Sequence, residues 1–516
     1  METVQRWYLQ PLYRKIRLFA ITRHIDPGMF IHGRHFHLQP DSVDSLLHAA
    51  GKLCYNWHCT LPALPERCVS GNERRKRLLK NVTPITGELL ARLQEGYASR
   101  PDLDILSTAL SGTALSDAAF VPAAAAKLRM DFSITVPTTG ITAQKQSGRC
   151  WMFAGMNVLR ERVIRNCNLE SFALSGTYLA FYDRLEKCNN FMEAIIHYAD
   201  QPLDARETWT LMHNPLPDGG QWDMMVSLVR KYGIVPDWVM PETAHSTATD
   251  IHRPILSRKL REDGLELREL VQAGQDPGPR REEMLQELYN ALCILYGRPP
   301  ETFDFDYTDK EGVFHSCPGM TPRSFLDTFI KDDLDDYAVL VSTPLHPVGA
   351  TLCLPWMGNV VEDDMHWLNV PKQALEEAAL RQLQAGEAVD FSCDCHPDRE
   401  RAQGYWDPDS FRYGEVLGGL QFGMNYEQRL RTGESTMNHC MVLCGVNLTE
   451  DGTPSRWKIE NSWGAADGQK GYFIGSEKWF REYVMQVIVR KEFLTEQQLK
   501  QLEQPPVPLP FWDPMA

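Results

Sequence analysis

Gln144-Lys-Gln-Ser-Gly-Arg-Cys150-Trp151 is the stretch on which the reading of this chain turns. A loop containing Gly148 runs directly into a segment with helical periodicity, residues 150–165, where Trp151, Ala154, Val158, Leu159 and Val163 recur as apolar positions. Cys150 stands at the join. A cysteine there is exposed to the positive end of a helix dipole, which favours its thiolate. Gln144, six residues earlier, can offer a side-chain N–H. With the backbone N–H of Cys150 it forms a pair of donors suited to a developing oxyanion. A buried structural cysteine at a helix start is the competing reading, and Cys-Trp alone does not separate the two.

Two distant segments separate them. Asn438-His439-Cys440 opens an apolar, strand-like run, from which an imidazole can be presented on a rigid sheet. Ile459-Glu-Asn461-Ser-Trp463-Gly464 follows the next turn and strand. Asn461 can fix the tautomer of the His439 ring, as the third member of a triad does. Trp463 can cover that hydrogen bond from water.

The rest of the chain sets the frame. Periodicity predicts a helix opening at Ile85 and further helices over 279–296 and 373–385. Strands are expected at Met441–Val446, Arg456–Ile459, Gly471–Ile474 and Val484–Val489, and the Pro-rich tail 505–516 reads as extended. Helices first and strands later is an α+β order. Of the 516 residues 43% are apolar and 23% charged, which supports a sizeable core. Residues 1–82 carry thirteen Lys/Arg against six Asp/Glu, a net of +7, and six of the fifteen histidines. They read as a basic, His-rich, poorly ordered extension. The other 434 residues carry −22, so nucleic acid is not an expected partner. No apolar run reaches the roughly 18 residues of a membrane helix, and no secretory signal is read at the N-terminus. The thirteen scattered cysteines suit buried thiols in a reducing compartment. Cys393 and Cys395 lack a second pair at zinc-finger spacing, so no metal is expected.

Glutamine, six residues on Cys-Trp, much later histidine, then Asn-Ser-Trp-Gly resembles the papain-like cysteine peptidases. The interval from Cys150 to His439 is 289 residues, against roughly 130–150 in the simple papain type. Ser147 stands where the papain disulfide cysteine is usual. Asp218-Gly-Gly-Gln-Trp-Asp223, Tyr232-Gly-Ile-Val-Pro236, Pro299-Pro-Glu-Thr-Phe303, Gly386-Glu-Ala-Val389, Gly433-Glu-Ser435 and Trp512-Asp-Pro-Met515 bring the resemblance closer to the bleomycin hydrolase and bacterial aminopeptidase C family. It runs from about residue 83 to the end.

The resemblance implies a papain-like two-lobed fold, a helical lobe plus a β-sheet lobe, with large insertions and a C-terminal arm. Its parts would be an N-terminal lead over 83–149, a helical lobe over 150–240, an inserted, oligomerisation region over 240–435, a β lobe over 436–490 and the arm over 491–516. It implies Cys150 as nucleophile, His439 as acid and base, Asn461 as its orienter and Gln144 as oxyanion donor. Gly219, Gly220, Trp463 and Ala516 are the implied substrate-binding residues, with Ala516 as a terminal anchor that makes the enzyme an aminopeptidase. A cytoplasmic homohexamer acting on peptides, without a cofactor, is implied as well. An endopeptidase or an acyltransferase on the same triad is the alternative.

Overall fold

The computed structural model describes residues 82–516 except 332, 333, 362 and 364. The extension expected over 1–82 lies almost wholly outside the described residues. The chain divides into two units, Met1–Ala91 and Arg92–Ala516, and the second holds the elements that position the site. The helix expected to open at Ile85 runs over Gly87–Ala98.

The five long helices between residues 150 and 296 are α1 (Cys150–Asn166), α2 (Gly176–His197), α3 (Trp222–Tyr232), α4 (His252–Gln272) and α5 (Gly278–Tyr296). Ser175 starts α2 by accepting the Tyr178 N–H at 3.1 Å, the usual service of an N-cap hydroxyl. Gly233, at φ 73, ends α3 in a conformation that suits glycine. α4 and α5 pack on α2, and α3 packs on both α1 and α2. Another helix, α6 (Lys372–Gln384), lies on the sheet.

The sheet is built from β1 (Tyr337–Val341), β2 (Thr351–Cys353), β3 (His366–Asn369), β4 (Val389–Cys393), β5 (His439–Leu448), β6 (Pro454–Glu460), β7 (Tyr472–Ser476), β8 (Val484–Arg490) and β9 (Val507–Pro508). Its order is β9-β2-β3-β1-β8-β4-β5-β6-β7, continued by Tyr405–Trp406 and Arg399–Glu400, and Ile134–Thr135 pairs with β5. β4, β5, β6 and β8 are mutually antiparallel where they pair, with His439 opposite Cys393 and Cys440 opposite Ser392. α1 packs against β4 and β5, and α6 against β5 and β8. The central strands are therefore covered on both faces. Leu443, Val487 and Phe391 are fully buried there, and each such side chain stabilises the fold by about 1.5–3 kcal/mol.

The helices predicted at 150–165, 279–296 and 373–385 stand at Cys150–Asn166, Gly278–Tyr296 and Lys372–Gln384, and the four predicted strands lie in β5 to β8. The arrangement is α+β, with a helical part and a sheet part. One difference is physical. The sheet takes β1 to β4 from 240–435, and β9 from the arm, so it is not confined to 436–490. β1 and β4 are buried at every position. A strand covered on both faces loses the alternation by which strands are recognised in sequence. Among the described residues, no helix is long and apolar enough to cross a membrane.

Candidate active site

The loop before α1 is held at Gln144 and from Gln146 to Arg149. The Gln144 N–H donates to Ser462 O at 2.8 Å, and the Gln146 N–H to Thr247 O at 2.9 Å. Between them Lys145 takes φ 56, a left-handed conformation that surrounding bonds must maintain. The Ser147 hydroxyl donates to Gln144 O at 2.5 Å. The Gly148 N–H donates to Asp218 Oδ2 at 2.8 Å. A Cβ on Gly148 would lie 2.9 Å from that carboxylate, so only glycine fits. Arg149 is buried, donates from Nε to Ser147 Oγ at 2.9 Å and pairs with Glu242 at 3.0 Å. Cys150 is then the first residue of α1.

The imidazole comes from the sheet. His439 begins β5, and its Nε2 meets Asn461 Oδ1 at 2.8 Å. With Nε2–H donated to Asn461, Nδ1 is the ring nitrogen left for Cys150. Trp463 stacks on the His439 ring with centroids 4.9 Å apart and planes 27° apart. The Arg401 guanidinium lies 4.5 Å over the other aromatic system of this stack, Trp463. The Cys150 thiol is held well below its ordinary range. The hydrogen bond from the Cys440 thiol is the largest cause, and the charge and hydrogen bond of His439 add to it; together they outweigh burial, which pushes the other way.

Gln144 ties the two parts together. Its Nε2 donates to Ser147 O at 2.7 Å, and its Oε1 accepts from Ser462 Oγ at 2.7 Å. One amide hydrogen is therefore used inside the loop and the second is left for a ligand. Gly219 and Gly220 follow Asp218. Lys187 Nζ fixes the Gly219 carbonyl at 2.7 Å. A Cβ on Gly220 would lie 2.5 Å from the Trp151 ring, so this segment runs directly against the residue after Cys150.

The C-terminal arm is fastened close to its end. β9 pairs with β2, and the Leu509 N–H donates to Cys353 O at 2.8 Å. Asp513 meets His346 at 2.9 Å, and Arg206 lies 4.1 Å over the Trp512 ring. Met515 is 1% exposed. The Ala516 N–H donates back to Asp513 O at 2.8 Å, while Ala516 itself is exposed. Cys150, Gln144, His439 and Asn461 thus share one site with Trp463, and Gly220 adjoins it. Among the described residues, no ion pair joins Ala516 to them.

The sequence alone does not place Cys440, Asp218 or Lys187 in this site. Asp218 lies in one of the motifs above, but its bond to Gly148 joins residues 70 positions apart. Cys150, Cys167, Cys188, Cys293, Cys317, Cys393, Cys395, Cys440 and Cys444 carry free thiols. No group of three or more His, Cys, Asp and Glu side chains among the described residues is arranged to hold a metal ion.

Comparison with known proteins agrees with the architecture. A family model described as the Peptidase C1-like family matches residues 84–516. Aminopeptidase G of Lactobacillus delbrueckii subsp. lactis is 39% identical over 435 residues, covering 84% of this chain and 99% of that protein. Aminopeptidase C of Lactococcus lactis subsp. lactis (strain IL1403) is 38% identical with the same coverage. The crystal structure of PepW from Lactobacillus rhamnosis HN001 superposes with a TM-score of 0.82 at 36% identity, covering 84% of this chain and 99% of that one. A match over five-sixths of the chain and nearly all of each relative, resting on the same α+β architecture, places this chain in the Peptidase C1-like family.

Proposed function

We propose that this chain, a cysteine-type aminopeptidase, removes N-terminal residues from peptides with Cys150 as its nucleophile. The observation that carries this reading is a helix-start thiol held low beside His439, whose ring is itself held at 2.8 Å by Asn461. The Cys150 sulfur attacks the peptide carbonyl. The developing oxyanion is met by the Cys150 N–H and the second Gln144 Nε2 hydrogen. One such donor contributes about 2.7–4 kcal/mol to the transition state. His439 gives its proton to the leaving amine, and a thioester remains on Cys150. A water, deprotonated by His439, then hydrolyses it. Asn461 keeps the ring oriented throughout, and Trp463 shields their hydrogen bond from water. Gly219 and Gly220 let the substrate backbone approach α1.

The resemblance supports the exopeptidase character through the arm. The bonds of Asp513, the stack on Trp512 and the burial of Met515 fix everything up to the last residue. On this reading Ala516, at the end of the fastened arm, is the anchor for a substrate α-ammonium. The free thiols of Cys188, Cys393, Cys395 and Cys444 support a reducing, cytoplasmic setting. The resemblance supports a homohexamer, which light scattering can measure. The test of the activity is cleavage of matched peptides with free and N-acetylated termini. The free peptide is expected to be cleaved and the acetylated one spared. Equal rates on both would remove the exopeptidase reading.

A further inference from the structure

Trp463, which stacks on the His439 ring, carries two guanidiniums over its own ring. Arg401 lies 4.5 Å from the Trp463 centroid and Arg399 lies 5.4 Å from it. The two are committed differently. Arg401 is exposed and pairs with Asp467 at 2.7 Å. Arg399 is partly buried in the short strand Arg399–Glu400, opposite Trp406. Its Nη1 donates to the Cys395 sulfur at 3.6 Å, and among the described residues it forms no ion pair. The carboxylates close to it in the chain are engaged elsewhere. Asp398 accepts from the Tyr483 hydroxyl at 2.5 Å, and Glu400 from the Ala402 N–H at 3.2 Å. Asp394 accepts from the Ser435 hydroxyl at 2.8 Å and the Asn438 amide at 2.7 Å. A guanidinium has five N–H donors, so most of the Arg399 fork is open. The mechanism above has no use for it.

We propose that Arg399 binds the α-carboxylate of short substrates and makes the enzyme selective for di- and tripeptides. This rests on the aminopeptidase reading, with His439 on the side of the leaving amine. His439 gives its proton to that amine, so the chain beyond the scissile bond starts at the imidazole. Arg399 is tied to the same place by two routes. Over the rings, the step from His439 to Trp463 is 4.9 Å and from Trp463 to Arg399 is 5.4 Å. Through the backbone, Cys395, which Arg399 touches, donates its N–H to Asn438 Oδ1 at 3.0 Å, and Asn438 immediately precedes His439. A peptide residue spans about 3.3–3.6 Å. The fork is therefore within reach of a carboxylate one or two residues past the leaving amine.

The chemistry of the group suits this task. A planar guanidinium matches a carboxylate with two parallel N–H donors, which an ammonium does not. Its place over the Trp463 ring and its bond to Cys395 hold it before the ligand arrives, so little ordering remains to be done on binding. Residues 83–516 carry a net charge of −22, which disfavours a free carboxylate unless a local cation receives it. A longer peptide presents a neutral amide at this position and forgoes the ion pair. The contact is the same before and during the reaction, so it lowers KM and leaves kcat in place.

The test measures kcat and KM of the full-length protein on a tripeptide and a pentapeptide that share a cleaved N-terminal residue. Each is supplied with a free C-terminus and as the C-terminal amide, and initial rates are used. The free tripeptide is expected to exceed its amide by at least about tenfold in kcat/KM, carried by KM. The pentapeptide pair is expected to agree within about twofold, because its carboxylate lies beyond the fork. In Arg399→Gln the tripeptide ratio is expected to fall to within about twofold of one. Arg399→Lys keeps the charge without the fork and is expected to retain part of the preference. Arg401→Gln is expected to retain it whole. A tripeptide ratio near one in the unaltered enzyme, or a preference that survives Arg399→Gln or vanishes with Arg401→Gln, would overturn the proposal. The unaltered enzyme decides even if the Arg399 variants fail to fold. Equal cleavage of free and N-acetylated tripeptides would instead remove the aminopeptidase reading itself, and the amidation ratio is read independently of it.

Discussion

Removing the Asp218 carboxylate is expected to cost both stability and rate, and the structure gives the size. This carboxylate accepts the Gly148 N–H at 2.8 Å and the Thr249 hydroxyl at 2.7 Å, and it pairs with Arg184, whose side chain is 2% exposed. Burial alone would raise its pKa. The Arg184 charge and the hydrogen bonds of Thr249 and Gly148 prevail and lower it from 3.8 to about 2. Because the folded value is depressed, the stabilisation is present above pH 4 and is lost as pH falls towards 2. A depression of about two units corresponds to roughly 2–3 kcal/mol. Asp218→Asn keeps an acceptor for Gly148 but removes the charge, so it is expected to lose about that amount. Asp218→Ala also orphans the Gly148 N–H and strands a buried guanidinium, so about 3–5 kcal/mol is expected. The nucleophile loop then loses a tether two residues before Cys150, and a displacement of about 1 Å can cost on the order of 100-fold in kcat. Urea unfolding from pH 2 to 7 and steady-state kinetics are the assays. Wild-type stability and kcat in Asp218→Ala would refute the reasoning.

Two further outcomes can be measured directly. At pH 6, iodoacetamide is expected to label Cys150 first. Its thiol is held low by the Cys440 thiol and by His439 despite burial, whereas burial pushes Cys188, Cys395 and Cys444 up to about 12. A thiol of that kind is ionised to only about one part in a million at pH 6, so equal labelling of Cys395 would contradict the assignment. Gly220→Ala would drive its methyl to 2.5 Å from the buried Trp151 ring. Overpacking of about 1–3 kcal/mol and a fall in kcat are expected, read by thermal unfolding and turnover; unchanged values would show that this contact is not needed.

The sequence made the site more legible than the sheet that carries it. Cys150 announces itself because a glycine-bearing loop meets an amphipathic helix at that residue. His439 opens β5 and Asn461 directly follows the last residue of β6, neighbouring antiparallel strands whose apolar runs are readable, and so their meeting at 2.8 Å follows from one hairpin. β1 and β4 were not readable for the opposite reason, since every position in them is buried and no alternation marks them. Cys440 and Asp218 were hidden differently. Their roles depend on contacts between residues far apart in the chain, Asp218 with Gly148 and Cys440 with Cys150. No local spacing encodes such a contact; it appears only when α1 is laid on β5.

The central claim, that Cys150 carries the chemistry, is tested most directly by Cys150→Ser assayed against aminoacyl reporter substrates, with its fold checked by unfolding. The serine hydroxyl is a far weaker nucleophile in this setting, and its proton is not relinquished to His439 as a thiol proton is. A folded variant with turnover lowered by at least about 1,000-fold is the outcome this account predicts. A folded variant that hydrolyses the reporters at the wild-type rate would contradict it.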